Sequence, residues 1–225
     1  MKKNQLFSLL GIGAALLVPI TSANAHFLWG SVTEGADRSY RMTISETPLE
    51  ADDEHLEEAR DTSAWVVGGK NLKLNLQEGF LAAPLAAADQ VVAAGFSWGV
   101  FPDKEKKPYL LDLYAKTAVT EAAAAQSANL PVEVFARREG KNFVATVKSF
   151  DKVLDKAQVV VTTPDSKEEK SLLTDKKGNV TFPYTTAGLY TVRAIYVVTP
   201  RSGAHDGKRY ETVHAFSTLT FPVAR

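Results

Sequence analysis

The chain has 225 residues and no cysteine, and its 26 basic side chains balance 26 acidic ones. Without cysteine there are no disulfides, no thiolate catalysis and no cysteine-rich zinc or iron–sulfur site, so any metal ion needs nitrogen and oxygen ligands. The balanced charge argues against a surface that binds nucleic acid or an anionic membrane.

The N-terminal segment predicts export. Residues 2–3 are both lysine, residues 6–20 carry no charge, and residues 23–25, Ala-Asn-Ala, put small side chains where signal peptidase reads them. The uncharged run is shorter than the roughly 20 apolar residues of a membrane-spanning helix. We therefore expect residues 1–25 to be a cleaved signal peptide. The mature protein would begin at His26, would be periplasmic or secreted, and would not insert into the membrane.

Most of the mature chain alternates polar and apolar residues, as half-buried strands do. The alternation is clearest at residues 38–45 and 71–77. The other candidate strands are short segments, several of them separated by turn-forming residues: 91–96, 109–116, 131–136, 142–150, 157–163, 170–174, 179–183, 189–198 and 208–223.

Two segments depart from this alternation. Residues 48–60 favour a helix, with few apolar positions. Residues 117–129 are rich in alanine, and because such small side chains bury little surface we interpret this segment as a linker. The sequence thus predicts an all-β protein of two β-sandwich-like, immunoglobulin-like domains, 26–129 and 130–225, with a short helical insertion.

His26 is the most informative candidate for a functional residue. At a mature N-terminus it offers both its α-amine and its imidazole Nδ1 to one ion, closing a chelate ring. The α-amine has a pKa of about 7.7–8.0, so a cation displaces its proton at little cost near neutral pH. A second histidine would complete an all-nitrogen set that suits Cu(II) or Ni(II). The alternative is that His26 merely follows a cleavage site.

The other histidines are weighed as partners of His26. His214 lies on a predicted strand among aromatic residues. A buried core histidine and a metal ligand are equally reasonable interpretations of it there. Beside an N-terminal His26, it is the best candidate for the second ligand. His205 lies in a turn and is a weaker candidate ligand, because an exposed loop histidine explains it as well. His55 stands in an acidic helical stretch, and we interpret it as part of a solvated face.

Several motifs resemble one family of exported bacterial proteins of unknown function. They are Ala-His-Phe-Leu-Trp at residues 25–29, Pro-Tyr-Leu-Leu-Asp-Leu-Tyr-Ala-Lys at 108–116, Leu-Thr-Asp-Lys-Lys-Gly-Asn-Val-Thr-Phe at 173–182, Gly-Leu-Tyr-Thr-Val-Arg-Ala at 188–194, and the segment 206–220 that contains Tyr-Glu-Thr-Val-His. Some members of that family accompany nickel/cobalt uptake systems as periplasmic components. The resemblance covers nearly the whole mature chain.

The resemblance implies a C-terminal module of transthyretin or immunoglobulin type and a role in transition-metal handling. It implies that His26 and His214 are ligands. Relatives often carry a further histidine shortly after the Arg-Ala that ends the motif at 188–194, where this chain has Tyr196. A third imidazole from that strand is therefore missing here.

We expect a periplasmic protein, not an enzyme, that binds a divalent nickel, cobalt or copper ion and supports its uptake, with a membrane metal transporter as partner. The candidate metal ligands are His26, His214 and His205. Two alternatives stay open. One is a structural or ligand-binding module of the envelope with incidental histidines. The other is an oxidative copper enzyme acting on polysaccharide, which would need exposed tryptophans around His26.

Overall fold

A computed structural model describes residues 26–224 except residues 36, 51–52 and 166–168. The expected signal peptide, residues 1–25, lies outside the described residues. The structure is nearly all β, with 59% strand and 5% helical residues, and forms several sheets. The expected all-β, sandwich-like fold is therefore confirmed. No helix in the described part of the chain is long and apolar enough to cross a membrane.

The described residues form eighteen strands. In chain order they are β1 Phe27–Thr33, β2 Ser39–Ser45, β3 Ser63–Val66, β4 Asn71–Leu72, β5 Asn75–Gln77, β6 Phe80–Pro84, β7 Val91–Pro102, β8 Pro108–Ala118, β9 Val132–Glu139, β10 Asn142–Ser149, β11 Lys152–Val153, β12 Gln158–Thr162, β13 Lys170–Leu173, β14 Asn179–Pro183, β15 Gly188–Thr199, β16 Gly203–His205, β17 Lys208–Tyr210 and β18 Thr212–Val223. Most predicted strands match an observed one to within a few residues.

The largest sheet has eight strands in the order β13-β12-β15-β18-β8-β7-β3-β4. Its pairs are antiparallel except β18 with β8, which run parallel. One smaller sheet has the order β1-β2-β6-β5, another contains β9, β10, β11 and β14, and β16 with β17 forms a separate hairpin. Both predicted segments, 26–129 and 130–225, contribute strands to the eight-stranded sheet.

The two largest hydrophobic cores among the described residues lie on the eight-stranded sheet. The first contains Trp29 and Tyr40 of the β1–β2 sheet, and the second contains Phe143 of β10. Because side chains alternate along a strand, β18 contributes to both: Phe216 joins the first core and Phe221 the second. The last strand thus lies against β1, which begins directly after His26.

The segment predicted as a linker is packed into the molecule. β8 extends to Ala118, and a 3₁₀-helix follows at Ala122–Ala125. Ala124 is fully buried and Ala128 is 3% exposed. The small side chains that suggested a linker instead let the backbone approach β9 closely. The segment 117–129 thus buries more of its small side chains than the sequence suggests, and both its interpretation as a linker and the division at residue 129 stay predictions.

The expected helical insertion is present. It consists of helix α1, Asp53–Leu56, and a 3₁₀-helix at Glu58–Asp61. Leu56 and Ala59, two of its few apolar residues, are buried in the first core. Their burial docks the insertion against the sheet and fixes the position of His55.

Candidate metal centre

The first strand holds His26 in place. Phe27, Leu28 and Trp29 are all buried directly after it. The Phe27 ring lies 5.0 Å from that of Phe216, and the Leu28 carbonyl accepts a 2.6 Å hydrogen bond from Thr218 Oγ1. The start of β1 is therefore fixed over β18, and His26 occupies a defined position at one end of the sheet.

Arg193 of β15 strengthens this attachment. Its guanidinium lies over the Phe27 ring, 4.3 Å from the centroid. It donates hydrogen bonds of 2.8 Å to the Glu46 carbonyl and 2.6 Å to Glu169 Oε2. Since these groups come from distant parts of the chain, Arg193 ties β1 to the rest of the molecule.

The structure brings His26 together with His55. Their ring centroids are 4.2 Å apart and the ring planes are nearly perpendicular, at 76°. The indole of Trp98 completes the cluster, with its centroid 5.7 Å from His26 and 5.1 Å from His55. The pair is compatible with one nitrogen of each ring binding the same ion, because metal–imidazole bonds are about 2.0–2.1 Å long.

Glu58 joins this cluster from the helical insertion. Its Oε2 accepts a 2.7 Å hydrogen bond from Trp98 Nε1 and lies 3.7 Å from His55 Nδ1. His55 Nδ1 is buried and has no hydrogen-bond partner among the described residues. A buried polar nitrogen without a partner is costly, and an ion would satisfy it. The two imidazoles are therefore candidate ligands of a transition-metal ion, with Glu58 beside them.

A β-bulge positions Trp98. Ser97 pairs with Asp112 and Gly99 with Leu111, so Trp98 is the extra residue of β7. Gly99 has a φ of 140°, which few other residues adopt. Bulges often redirect a side chain next to a functional site, and this one places the indole against both histidines.

His214 lies on the same face of the sheet. It is paired with Leu111, which is paired in turn with Gly99 beside Trp98. Two strand spacings separate β18 from β7, about 10 Å. The His214 ring stacks on Tyr109 with a centroid distance of 4.0 Å, and partial burial lowers the pKa of His214. It stacks on Tyr109 and is not part of the ring cluster of His26, His55 and Trp98.

His205 lies on the β16–β17 hairpin. Its Nε2 is 3.4 Å from Asp206 Oδ2, and it faces a cleft that also borders Glu58 and Trp98. The side chain of Tyr196 lies outside the described part. Among the described residues there is no group of three or more histidine and acidic side chains arranged to hold an ion. The His26–His55 pair is the strongest feature that the structure provides.

A scan against protein-family models and a search of curated proteins both gave no match for this chain. The site is therefore interpreted from its own geometry.

Sequence reasoning missed the position of His55 beside His26. The acidic residues around it suggested a solvated face, yet its side chain is only 21% exposed and contacts His26. A usable signal was its position immediately before Leu56, which is buried with Ala59 on the docking face. Trp98 packs partly against the first core and also contacts both histidines.

Proposed function

We propose that this chain is an exported transition-metal-binding protein that holds one nickel, cobalt or copper ion between His26 and His55 and delivers it to a membrane transporter. The observation that carries the proposal is the short separation of the two imidazole rings, whose centroids are 4.2 Å apart. Cleavage after residue 25 would add the α-amine of His26 as a further nitrogen donor.

The donor set favours the later first-row metals. An amine and two imidazoles are the nitrogen ligands that suit Cu(II) and Ni(II) in tetragonal geometry. Glu58 would orient His55 or supply an oxygen, since its Oε2 is 3.7 Å from His55 Nδ1. His214, on the same face, is the candidate for an additional ligand that the family resemblance implies.

The copper-enzyme alternative has less support. It needs exposed aromatic rings around the histidine, but Trp29 is completely buried in the first core. Trp98 is partly buried and its N–H is bonded to Glu58. We therefore favour binding and delivery of an ion over oxidative catalysis.

Titration calorimetry with Cu(II) and Ni(II) tests this proposal. The chain beginning at His26 should bind about one equivalent. Loss of an outer-shell partner of a metal ligand costs about 10–100-fold in affinity, and His55→Ala, which removes a proposed direct ligand, should weaken binding by at least as much. A chain with Met before His26 should also bind far more weakly, because its α-amine becomes an amide. Quenching of Trp98 fluorescence should report the same titration.

The control is His205→Ala, which removes an imidazole outside the ring cluster and should leave the affinity within about twofold. His214→Ala separately tests the ligand set that the resemblance implies. Equal affinity for the parent, the Met-extended chain and His55→Ala would contradict the proposal and favour an envelope module with incidental histidines.

A further inference from the structure

A second feature lies beside the histidine cluster, at the end of β3. Strand β3 pairs with β7 only as far as Ser63 and Gly95. Beyond that point a cleft of about 660 Å³ opens along β7, between the helical insertion and the tip of the β16–β17 hairpin. This volume falls within the range of about 300–1,000 Å³ of small-molecule sites.

Acidic side chains form the rim of this cleft. Glu58 and Asp61 come from the helical insertion, and Asp206 comes from the hairpin. Of the described residues that line it none is a lysine or arginine, and His205 lies on the hairpin beside Asp206, its Nε2 3.4 Å from Asp206 Oδ2. We call it the acid-rimmed cleft, defined by these three residues together with Ser97, Tyr114 and Trp98.

The floor of the acid-rimmed cleft is built around a buried carboxylate. Asp112 is 3% exposed and accepts hydrogen bonds from Ser97 Oγ at 2.6 Å and Tyr114 Oη at 2.9 Å. Burial, and then the charge of Asp112, raise the pKa of Tyr114, so its phenol stays protonated. Arg201 lies near Asp112 and interacts with Tyr210 without lining the cleft.

The hydrogen bonds to Asp112 determine whether the floor of the cleft presents hydrogen-bond donors or acceptors to a ligand. A hydroxyl has one hydrogen to donate and two lone pairs to accept with. Because Ser97 and Tyr114 both donate to Asp112, their oxygens present acceptor lone pairs to the cleft. The three rim carboxylates are acceptors too, and the N–H of Trp98 is already donated to Glu58. The walls therefore favour a ligand rich in hydrogen-bond donors.

The aromatic part of the lining favours positive charge on that ligand. Phe96, Trp98 and Tyr114 all border the cleft. Aromatic faces attract organic ammonium groups. The hydrogen-bond acceptors, the negative charge and the aromatic rings of the lining thus all favour a ligand that is positively charged and rich in hydrogen-bond donors.

We propose that the acid-rimmed cleft binds a small organic cation carrying primary ammonium groups, of the diamine or polyamine class. The proposal does not depend on metal binding at His26 and His55, because its floor and two of its rim carboxylates lie outside the histidine cluster. Glu58 and Trp98 border both features, so Trp98 fluorescence can report occupancy of the cleft.

Calorimetry with spermidine on the metal-free chain, at low ionic strength to limit screening, tests the proposal. We expect saturable binding that the double variant Asp61→Asn/Asp206→Asn weakens by about tenfold. Asn tolerates the positive φ of residue 206, 49°, so the hairpin should keep its shape. Tyr114→Phe, which removes one acceptor from the floor, should weaken binding by a smaller factor.

The matched control is Asp151→Asn/Asp155→Asn. It removes the same charge from exposed residues of the turns around β11, far along the chain from the cleft. If this control weakens binding as much as the cleft variant does, attraction is nonspecific and the proposal fails. It fails too if no saturable binding occurs up to about 10 mM spermidine. If Mg²⁺ displaces spermidine at equal concentration, the cleft is a cation site of another class, and this also overturns the proposal.

Discussion

Gly30 shows how a single residue controls the path of β1. A Cβ at this position would lie 2.0 Å from Thr117 Oγ1 and 2.7 Å from the Tyr40 ring and hydroxyl. Tyr40 is fully buried and Thr117 is 2% exposed, so neither can move aside easily. The absence of a side chain is what lets β1, and His26 at its start, lie flat on the sheet.

We predict that Gly30→Ala lowers the free energy of unfolding by about 3 kcal/mol. This value is at the upper end of the destabilisation that overpacking a core usually causes. Urea denaturation measures it. Gly95→Ala is the matched control, because its Cβ would meet only the Tyr114 ring, at 3.4 Å. Adding Thr117→Ala to Gly30→Ala should recover part of the loss through their coupling. Equal costs for the two glycine substitutions would show that the close contact is unimportant.

At the level of elements, a buried ion pair joins β8 to β9. Lys116 Nζ is 2.7 Å from Glu133 Oε1 and donates to the Gln126 carbonyl at 3.0 Å. The same carboxylate oxygen accepts from the Ala128 N–H at 2.8 Å. Burial lowers the pKa of Lys116 to about 8, although Glu133 opposes the shift. This network orders the segment that the sequence predicted as a linker.

Removing one partner of this pair should destabilise the protein more than removing both. We predict a loss of about 3–5 kcal/mol for Lys116→Met, because Glu133 then remains buried without a counter-ion. Lys116→Met/Glu133→Gln should cost less than this single variant. Chemical denaturation of both, with Arg137→Met as control, measures the difference.

The control breaks the ion pair of Arg137 with Glu139, which is equally short at 2.7 Å but about half exposed. Its loss should cost less than about 1 kcal/mol. A double variant at residues 116 and 133 that is no more stable than Lys116→Met would contradict the account of an uncompensated charge.

Across the whole molecule, the parallel pairing of β18 with β8 connects the two cores through one sheet. Nine residue pairs, from Thr212 with Tyr109 to Thr220 with Thr117, form this connection. Since β18 carries side chains of both cores, loosening one core should affect the other. We therefore expect the chain to unfold as one cooperative unit.

A substitution in the second core tests this, with tryptophan fluorescence as the readout. All three tryptophans, Trp29, Trp65 and Trp98, lie within residues 26–129. We predict that Val147→Ala, at a fully buried site of the second core, shifts the tryptophan transition by the full loss of about 2 kcal/mol. A tryptophan transition that stays in place while circular dichroism shows an earlier one would mean that the two segments unfold independently.

Local patterns in the sequence were enough to predict most of the strands. The alternation at 179–183 and 142–150 matches β14 and β10 closely, because a strand with one buried face must alternate whatever its neighbours are. The short helical insertion was predictable because its own residues favour a helix, whatever packs against them. Strands with continuous apolar runs, such as Phe80–Pro84, gave no alternation and were not predicted.

The contacts of the site were decided by tertiary structure alone. His26 and His55 are far apart in sequence, and they meet because β1 crosses the sheet while Leu56 and Ala59 anchor the insertion beside it. The acceptor character of the cleft depends in the same way on Ser97 and Tyr114 both donating to Asp112 across β7 and β8. The type of each residue determines whether its side chain is able to bind a metal ion or accept a hydrogen bond. Only the packing of distant strands determines which of them lie together, because those contacts leave no periodic trace in the chain.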